Sequence, residues 1–233
     1  MIRGEGACLV CGKPLVYFDE ARELTCSCCG KTFSSNASCE DGHYICDRCH
    51  AAQGVQAVMG CCLQSDSRDP IAMLRDMMEH PLIHMHGPEH HIMVGAALIT
   101  AYRNSGGEVD LPAALEKMRQ RGSQYPGGAC GLWGCCGAAV SAGMAVSVIT
   151  GATPLAALPW RQANETTSRC LHAIAELGGP RCCKRNAFTA AKVAAQYIGE
   201  ALHVTMELPE TIRCDYSVEN RQCRKHACPY YAQ

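Results

Sequence analysis

Pairs of metal-ligating residues at short, regular spacing dominate the first fifty positions of this chain. Three are Cys-x2-Cys pairs and one is a Cys-x3-His pair: Cys8 and Cys11, Cys26 and Cys29, Cys39 and His43, Cys46 and Cys49. Thiolates and imidazoles at this spacing are the usual ligands of tetrahedral structural zinc, so the eight residues predict two zinc ions. Because so short a segment buries little apolar surface, metal binding supplies much of its folding free energy.

The segment CLVCGKPLVYFDEARELTCSCCGKTF is typical of a zinc ribbon. Gly12 and Gly30 follow the first two pairs and permit the tight turn of a zinc knuckle. Between the two knuckles we expect a β-hairpin with strands in LVYF and around ELTC. The third and fourth pairs together offer three cysteines and one histidine. Spacing leaves open whether the pairs bind in sequence or in a cross-brace, in which the first and third pairs share one ion.

Cysteine is unusually abundant, at 19 of 233 residues. An odd number cannot pair completely, the chain opens without a secretory pattern, and the cysteines cluster; this favours metal or catalytic thiols in the cytoplasm over disulfides. The net charge is −1 with no basic stripe, which argues against nucleic acid as a partner. The longest apolar stretch, residues 138–152, is shorter than the ~20 residues of a membrane helix, so we expect no membrane contact.

The residue pattern divides the chain into a first region with paired metal ligands and a second region with helical periodicity. We predict a zinc-ribbon-like double zinc module in residues 1–62 and an α-helical domain in residues 65–233. Six segments have helical periodicity, several with Pro near the start or Gly after the end. The fold class is therefore a small β zinc module followed by an all-α domain of about five or six helices with a Cys-rich C-terminal tail. Strand signals there are weak and confined to tail segments such as HVTMEL.

Three of the predicted helices begin directly after a ligand-rich segment: HMHGPEHH, GACGLWGCC and GGPRCCKRN. A helix N-terminus presents free N–H groups and partial positive charge, which lowers the pKa of a cysteine placed there. It also favours neutral, metal-ligating histidine. The helices that follow are rich in Ala and Gly, which lets their backbones approach. If the three N-termini converge, their ligands line one cavity.

The residues expected at this site fall into two groups. The cofactor ligands are Cys130, Cys135, Cys182, Cys183, Cys214, Cys223, Cys228, His86 and His90; the catalytic candidates are Cys135, Cys136 and Glu89. A terminal Cys228-Pro229 is typical of the last ligand in many iron–sulfur sites, although the tail spacing matches no standard ferredoxin pattern. Packing of small cysteines, a polar histidine loop and an ordinary first-turn Glu are the competing interpretations. Disulfides across the helix ends also stay open.

Through HMHGPEHH, GACGLWGCCGA and GPRCCKRNAF the chain resembles an uncharacterised family of cysteine-rich proteins from anaerobic bacteria and archaea. That family is a domain of unknown function, sometimes appended to S-adenosylmethionine-dependent methyltransferases. The resemblance covers most of the second region and implies an anaerobic, metal-rich setting with one-carbon or sulfur chemistry. It has no established activity, so it assigns no catalytic residues. The chain lacks the CxxxCxxC triplet of the radical enzymes that use S-adenosylmethionine.

Two functional hypotheses follow. The first is a cytoplasmic metalloprotein of anaerobic metabolism with structural zinc and an iron–sulfur cluster or mixed Cys/His centre, acting in redox, sulfur or methyl-group transfer on a small thiol or one-carbon substrate. The second is a non-enzymatic adaptor or thiol and metal sensor, whose zinc knuckles bind a partner protein or nucleic acid.

Overall fold

The structure is a computed structural model that describes Cys8 and residues 10–232. Two strands come first, followed by eight helices and a tail with a short 3-10 turn. Their bounds are β1 Leu15–Thr25, β2 Thr32–Cys39, α1 Asp47–Gln64, α2 Pro70–Glu79, α3 His90–Asn104, α4 Leu111–Gly122, α5 Ala129–Leu132, α6 Gly137–Ile149, α7 Ala157–Leu177, α8 Cys183–Leu202 and the 3-10 turn Lys225–Ala227.

The hairpin differs from the sequence prediction. LVYF and ELT belong to one strand, β1, which pairs antiparallel with β2. The expected turn is instead an irregularity in the pairing between Tyr17 and Arg22. The chain reverses at the second knuckle, where Cys26 N–H donates to the Lys31 carbonyl at 2.8 Å and Gly30 has φ 67°. The prediction was wrong because the knuckle, which closes on its own backbone hydrogen bonds, serves as the hairpin turn.

Helix α1 is the main element that the sequence analysis did not predict. It begins directly after Cys46, inside the expected zinc module, and Asp47 is in its first turn. Its buried positions include Ala51, Val55, Val58 and Cys62, which recur every three or four residues and face the helical core. This periodicity was not recognised in the sequence because the first turn of α1 overlaps the last ligand pair. The six predicted helices correspond to α2, α3, α4, α6, α7 and α8.

The tail contains no strand at HVTMEL; within the described residues, β1 and β2 form the sheet. Met206, Ile212 and Tyr216 bury their side chains in the main core instead. The rest of the tail closes on itself, since Cys214 N–H donates to the Tyr230 carbonyl at 2.7 Å. The residues between these two points form a loop over the start of α8.

Helix α3 lies at the centre of the helical domain and is buried on nearly all sides. It packs against α1, α2, α4, α6 and α8. Small residues permit the closest approaches: Gly95 N–H of α3 donates to the Ser141 hydroxyl of α6 at 2.9 Å. At Gly143 of α6, an added Cβ would lie 2.9 Å from the Ala163 carbonyl of α7. The expectation of close backbone packing between Ala- and Gly-rich helices is therefore confirmed.

Helix starts elsewhere follow ordinary capping rules. Asp69 accepts from Ile71 N–H at the start of α2, and Asp110 accepts from Ala113 N–H at the start of α4. A proline occupies the first turn of each helix. In the part of the chain that the structure describes, every helix is too short or too polar to cross a bilayer.

We predict that Gly143→Ala destabilises the protein by about 1–3 kcal/mol, because the new methyl group meets the Thr167 side chain and the backbone of α7. Urea denaturation followed by circular dichroism measures the change. Gly60→Ala in α1 is the matched control: a Cβ there has no neighbour within 4 Å, so the higher helix propensity of Ala should leave stability equal or slightly raised. Equal losses in both variants would contradict close packing at Gly143.

Candidate metal centres

The four ligand pairs of the first region form two compact groups. Within each group the ligand atoms all lie within 4.8 Å of one another. One group is Cys8, Cys11, Cys39 and His43; the other is Cys26, Cys29, Cys46 and Cys49. The first pair thus joins the third and the second joins the fourth, which is the cross-brace that spacing left open. Each group could hold one metal ion.

The antiparallel pairing of β1 and β2 explains this arrangement. Leu15 pairs with Cys39, which brings the start of β1 and the end of β2 together. Cys11 Sγ consequently lies 3.7 Å from Cys39 Sγ. Two thiolates on one tetrahedral zinc ion lie about 3.8 Å apart, given a Zn–S bond of about 2.3 Å. A sequential arrangement would require ligands at opposite ends of β1 to meet.

Backbone N–H groups face the sulfur atoms of both groups. His43 N–H donates to Cys39 Sγ, and Cys46 N–H donates to Cys26 Sγ, each at 3.3 Å. Burial alone raises the pKa of Cys26, but the N–H groups of Cys46 and Cys29 outweigh it and lower the pKa to about 6. Cys26 is therefore prepared for the thiolate form that metals bind.

Four more cysteines surround a cavity at the start of α8. They are Cys182, Cys214, Cys223 and Cys228, and the cavity is also lined by Arg185, Asn220 and Arg224. The cavity has a volume of about 20 Å³. One cysteine comes from the residue before α8 and three come from the tail loop. The loop closure between Cys214 and Tyr230 brings residues far apart in sequence to one place.

Hydrogen-bond donors also face these sulfur atoms. Cys182 Sγ accepts from Arg185 N–H and from the Asn220 amide, both at 3.4 Å. Cys223 Sγ accepts from Lys225 N–H at 3.3 Å. Such donors stabilise thiolates and the sulfur atoms of metal clusters.

The pKa values of the helix-start cysteines correct the sequence prediction. Burial raises the pKa of Cys182 and of Cys136, although N–H groups of the following helix oppose the shift. Burial likewise raises the pKa of Cys183 to about 12. Thiolate was expected from the helix N-terminus, but desolvation of the charged form is the larger effect at these positions. Without a bound cation these three cysteines are thiols.

The N-terminus of α3 contains the most deeply buried polar groups. Glu89 is 0% and His90 is 1% exposed. Glu89 Oε1 accepts from His84 N–H at 3.0 Å, and His90 Nδ1 lies 3.2 Å from the Gly87 carbonyl. Burial raises the pKa of Glu89 to about 7 and lowers the pKa of His90 well below its usual value. Neutral histidine was expected at this helix start because of the helix dipole. Burial is instead the main cause of the low pKa of His90.

His86 lies in the loop before α3. Burial, followed by the charge of Arg181, lowers the pKa of His86 to about 4, and a hydrogen bond with Asn220 opposes this shift. His86 is therefore neutral near pH 7. Because Asn220 also donates to Cys182, His86 lies between the four-cysteine cavity and the start of α3.

The segment before α6 meets both other helix starts. Asn186 of α8 donates to Cys136 Sγ at 3.3 Å. The ring of His91 packs where a Cβ on Gly137 would lie, so α3 and α6 also meet at their first turns. Cys183 faces the Gly87 N–H, which opposes the rise of its pKa. The N-termini of α3, α6 and α8 thus converge, as the sequence suggested.

Convergence does not produce one shared cavity, however. Cys182 faces the tail loop, whereas the adjacent Cys183 faces the start of α3. Cys130 and Cys135 do not line the four-cysteine cavity and lie half-buried in the loop around α5, where Tyr125 donates to the Cys135 carbonyl at 2.8 Å. The structure does not bring the predicted ligands into one set, because consecutive residues at a helix start point in different directions, which separates Cys182 from Cys183. All 19 cysteines are free thiols in this structure.

Two further residues, His50 and Lys184, contribute to this region without a signal in the sequence patterns. His50 follows the last knuckle cysteine and its ring lies 4.5 Å from that of His84. Lys184 is 0% exposed and its Nζ lies 5.0 Å above the ring of Tyr216. His50 ends the sequence CDRCH, directly after the ligand Cys49. The position of His50 beside His84 follows only from the course of α1.

The fold and these clusters define a mostly helical, cysteine-rich protein with two four-residue groups that could hold metal ions. Residues 58–231 match the sequence profile of a family of unknown function (DUF5714), and the chain belongs to this family. No curated protein and no solved structure matches the chain. The matched range includes the four-cysteine cavity and the start of α3. The two four-residue ligand groups of the first region, called the knuckle groups below, lie before it.

Pairs of cysteine substitutions distinguish cross-brace from sequential ligation. Cys11→Ser/Cys39→Ser removes two ligands of one group, so the protein should lose one of two bound ions. Cys11→Ser/Cys26→Ser removes one ligand from each group, so both ions should be lost or weakly held. Elemental analysis of the purified full chain counts the ions. Sequential ligation gives the reverse result and would contradict the arrangement.

Proposed function

We propose that this protein is a cytoplasmic iron–sulfur redox protein of anaerobic metabolism, with two structural zinc ions in the knuckle groups. Cys182, Cys214, Cys223 and Cys228 would hold the cluster. The observation that carries the proposal is the convergence of these four cysteines, from the start of α8 and the tail loop, on one cavity.

The spacing of the four sulfur atoms favours a cluster over a single ion. Among the described residues, three or more ligand atoms come within 4.8 Å of one another only in the two knuckle groups. The cysteines around the cavity are therefore spread more widely than the ligands of one zinc ion, whose sulfur atoms lie about 3.8 Å apart. A cluster ligated by four thiolates holds its cysteines on several iron atoms and needs the wider spacing.

The charges around the cavity also suit a cluster. Four thiolates carry negative charge, which the guanidinium groups of Arg185 and Arg224 partly offset. Arg185 is held rigidly, because it donates to the carbonyls of Gly178 and Pro180 at 2.8 and 3.0 Å. When bound, the cluster supplies one-electron transfer. The arginines and N–H donors would set the potential at which it accepts an electron.

The number of protein ligands limits the type of reaction that the cluster can carry out. Four protein thiolates complete the ligation of a four-iron cluster and leave no iron open to a substrate. This supports electron transfer over sulfur or methyl-group transfer at the cluster. Cys214, Cys223 and Cys228 are only half-buried, so the centre lies close to the surface, where a partner protein can exchange electrons with it.

The knuckle groups suit zinc for a different reason. One consists of three cysteines and a histidine and the other of four cysteines; both are compact and fully ligated by protein, which is the composition of structural zinc sites. Helix α1 continues from Cys49, the last ligand, into the core at Val55 and Val58. Zinc there would stabilise the start of α1 and, through it, the packing of α3.

Anaerobic purification followed by iron, zinc and sulfide analysis tests the proposal. We predict two zinc ions, iron with acid-labile sulfide, and the broad visible absorption of thiolate-bound iron. Cys223→Ser should lose most of the iron and sulfide while keeping both zinc ions. Cys61→Ser is the matched control, because Cys61 lies in α1 away from the cavity and its loss should leave the iron content unchanged.

A colourless protein with two zinc ions and no sulfide after anaerobic reconstitution would refute the cluster. That result would support the adaptor hypothesis, in which the knuckles and helical domain bind a partner protein without redox chemistry.

Arg224 offers a test of what sets the potential of the assembled cluster. Arg224→Gln removes one positive charge beside the cavity and keeps a polar side chain there. We predict a potential lower by tens of millivolts, on the order expected for one partly screened charge nearby. A redox titration monitored by electron paramagnetic resonance measures it. An unchanged potential at unchanged iron content would exclude Arg224 as a determinant.

A further inference from the structure

Buried polar atoms that lack a hydrogen-bond partner concentrate at one place in this protein. Among the described residues, four such atoms belong to side chains around the start of α3: His50 Nδ1, His86 Nδ1, Glu89 Oε2 and His90 Nε2. Native proteins contain few buried unsatisfied groups, and each calls for an explanation such as a water molecule or an ion. Four such atoms around one helix start indicate that a water molecule or an ion binds there.

The geometry of His90 leaves a lone pair free for a ligand. His90 Nδ1 lies 3.2 Å from the Gly87 carbonyl, which can only accept, so the ring proton is on Nδ1. Nε2 then carries the lone pair, in a side chain that is 1% exposed and has no hydrogen-bond partner for that atom. A histidine whose other nitrogen donates to a backbone carbonyl is the usual arrangement of a metal ligand.

Glu89, the residue before His90, supplies a second donor atom without a hydrogen-bond partner. Its Oε1 accepts from His84 N–H at 3.0 Å and lies 3.6 Å from His90 Nδ1, whereas Oε2 has no hydrogen-bond partner. The side chain is 0% exposed and packs against Gly87 and Gly54, where a Cβ would come within 3.5 Å of it. A buried carboxylate is costly unless a cation or hydrogen bonds compensate it.

We propose that Glu89 Oε2 and His90 Nε2, with His86 Nδ1 as the third donor, bind one divalent transition-metal ion at the start of α3. Two imidazoles and one carboxylate are a common ligand set for iron(II), zinc(II) and cobalt(II). The site has no residue in common with the knuckle groups or the four-cysteine cavity. It therefore goes beyond the redox function proposed above and does not depend on it.

Two local features determine how the ion is held. The three donor atoms are not gathered within 4.8 Å, a distance that only the knuckle ligands meet among the described residues, so binding requires rotation of the Glu89 and His86 side chains. Gly87 lies between them and gives the loop the freedom to adjust. The buried cation of Lys184 acts on Glu89 and His90, and so opposes the ion.

Cobalt(II) binding to the full chain tests this site. The protein, with its knuckle ions in place, is treated with a mild chelator and dialysed anaerobically against cobalt(II), and zinc, iron and cobalt are counted by elemental analysis. The expected result is one cobalt ion per chain in addition to the zinc and iron. Its absorption should lack the charge-transfer band of cobalt–thiolate bonds, which distinguishes it from cobalt that has replaced zinc in the knuckles.

Glu89→Gln is the decisive variant. Gln has the same shape and can still accept from His84 N–H, so the fold should survive, but it cannot offer a carboxylate to the ion. We expect cobalt affinity to fall by roughly tenfold or more and His90→Ala to abolish binding. Lys184→Met should tighten binding by roughly tenfold, since it removes a repulsive charge. His172→Ala, on the exposed surface of α7, is the control and should change nothing.

The outcomes separate this site from the cluster. If the wild-type protein binds no third kind of ion, or if Glu89→Gln binds cobalt as the wild type does, the site is overturned and buried water is the better explanation of the free atoms. Should His90→Ala fail to fold, Glu89→Gln still decides. Loss of iron and sulfide in Cys223→Ser with cobalt binding retained would show that the two sites are independent. Failure of the cluster experiment alone leaves this site standing.

Discussion

The close approach of α3 and α6 is the interaction on which the other features of the helical domain depend. At Gly95 the backbone of α3 donates directly to Ser141 of α6 at 2.9 Å, which requires that neither position has a large side chain. With these two helices in contact, their first turns meet at His91 and Gly137, and α8 completes the convergence through Asn186 and Cys136. Helix starts expose N–H groups and concentrate the polar residues that precede them. Three of them at one end of a small-residue core therefore create a buried polar region in an otherwise apolar domain.

The peptide bond between Cys182 and Cys183 divides this region into two environments. Cys182 caps α8 and faces a loop with three further cysteines, N–H donors and arginines. Cys183 faces the Gly87 N–H, in the loop that precedes Glu89 and His90, whose donor atoms are oxygen and nitrogen. Soft sulfur ligands and mixed nitrogen and oxygen ligands select different metals. The two sides of this region therefore differ in the kind of metal that their side chains suit.

The knuckle groups and the helical core are coupled through α1. The helix starts at the residue after a ligand, Cys46, and its later turns supply Val55, Val58 and Cys62 to the core that includes α3. Gly54 of the same helix lies against Glu89, and Asp47 accepts from Gly127 N–H at 2.9 Å. Ion binding in the cross-brace would thus position residues that enclose the start of α3. A metal-dependent module of this kind can transmit the occupancy of its ions to the buried polar region.

The sequence by itself determined the ligand pairs and six of the eight helices, because pair spacing and helical periodicity are local properties. That three helix starts are rich in ligands was also visible in the sequence, but their meeting follows from the tertiary structure. The sequence could not determine the partners of the pairs, since the choice between sequential and cross-brace ligation depends on the pairing of Leu15 with Cys39 across the hairpin. It missed α1, whose periodicity overlaps metal ligands. The tertiary structure alone decided that Cys182 belongs with the tail cysteines and Cys183 with α3, because the direction of each side chain follows from the turn of α8 and from the closure of the tail between Cys214 and Tyr230. It also decided the charge of these groups: burial raises the pKa of the thiols that the helix N-termini were expected to lower, since desolvation exceeds the effect of the helix dipole.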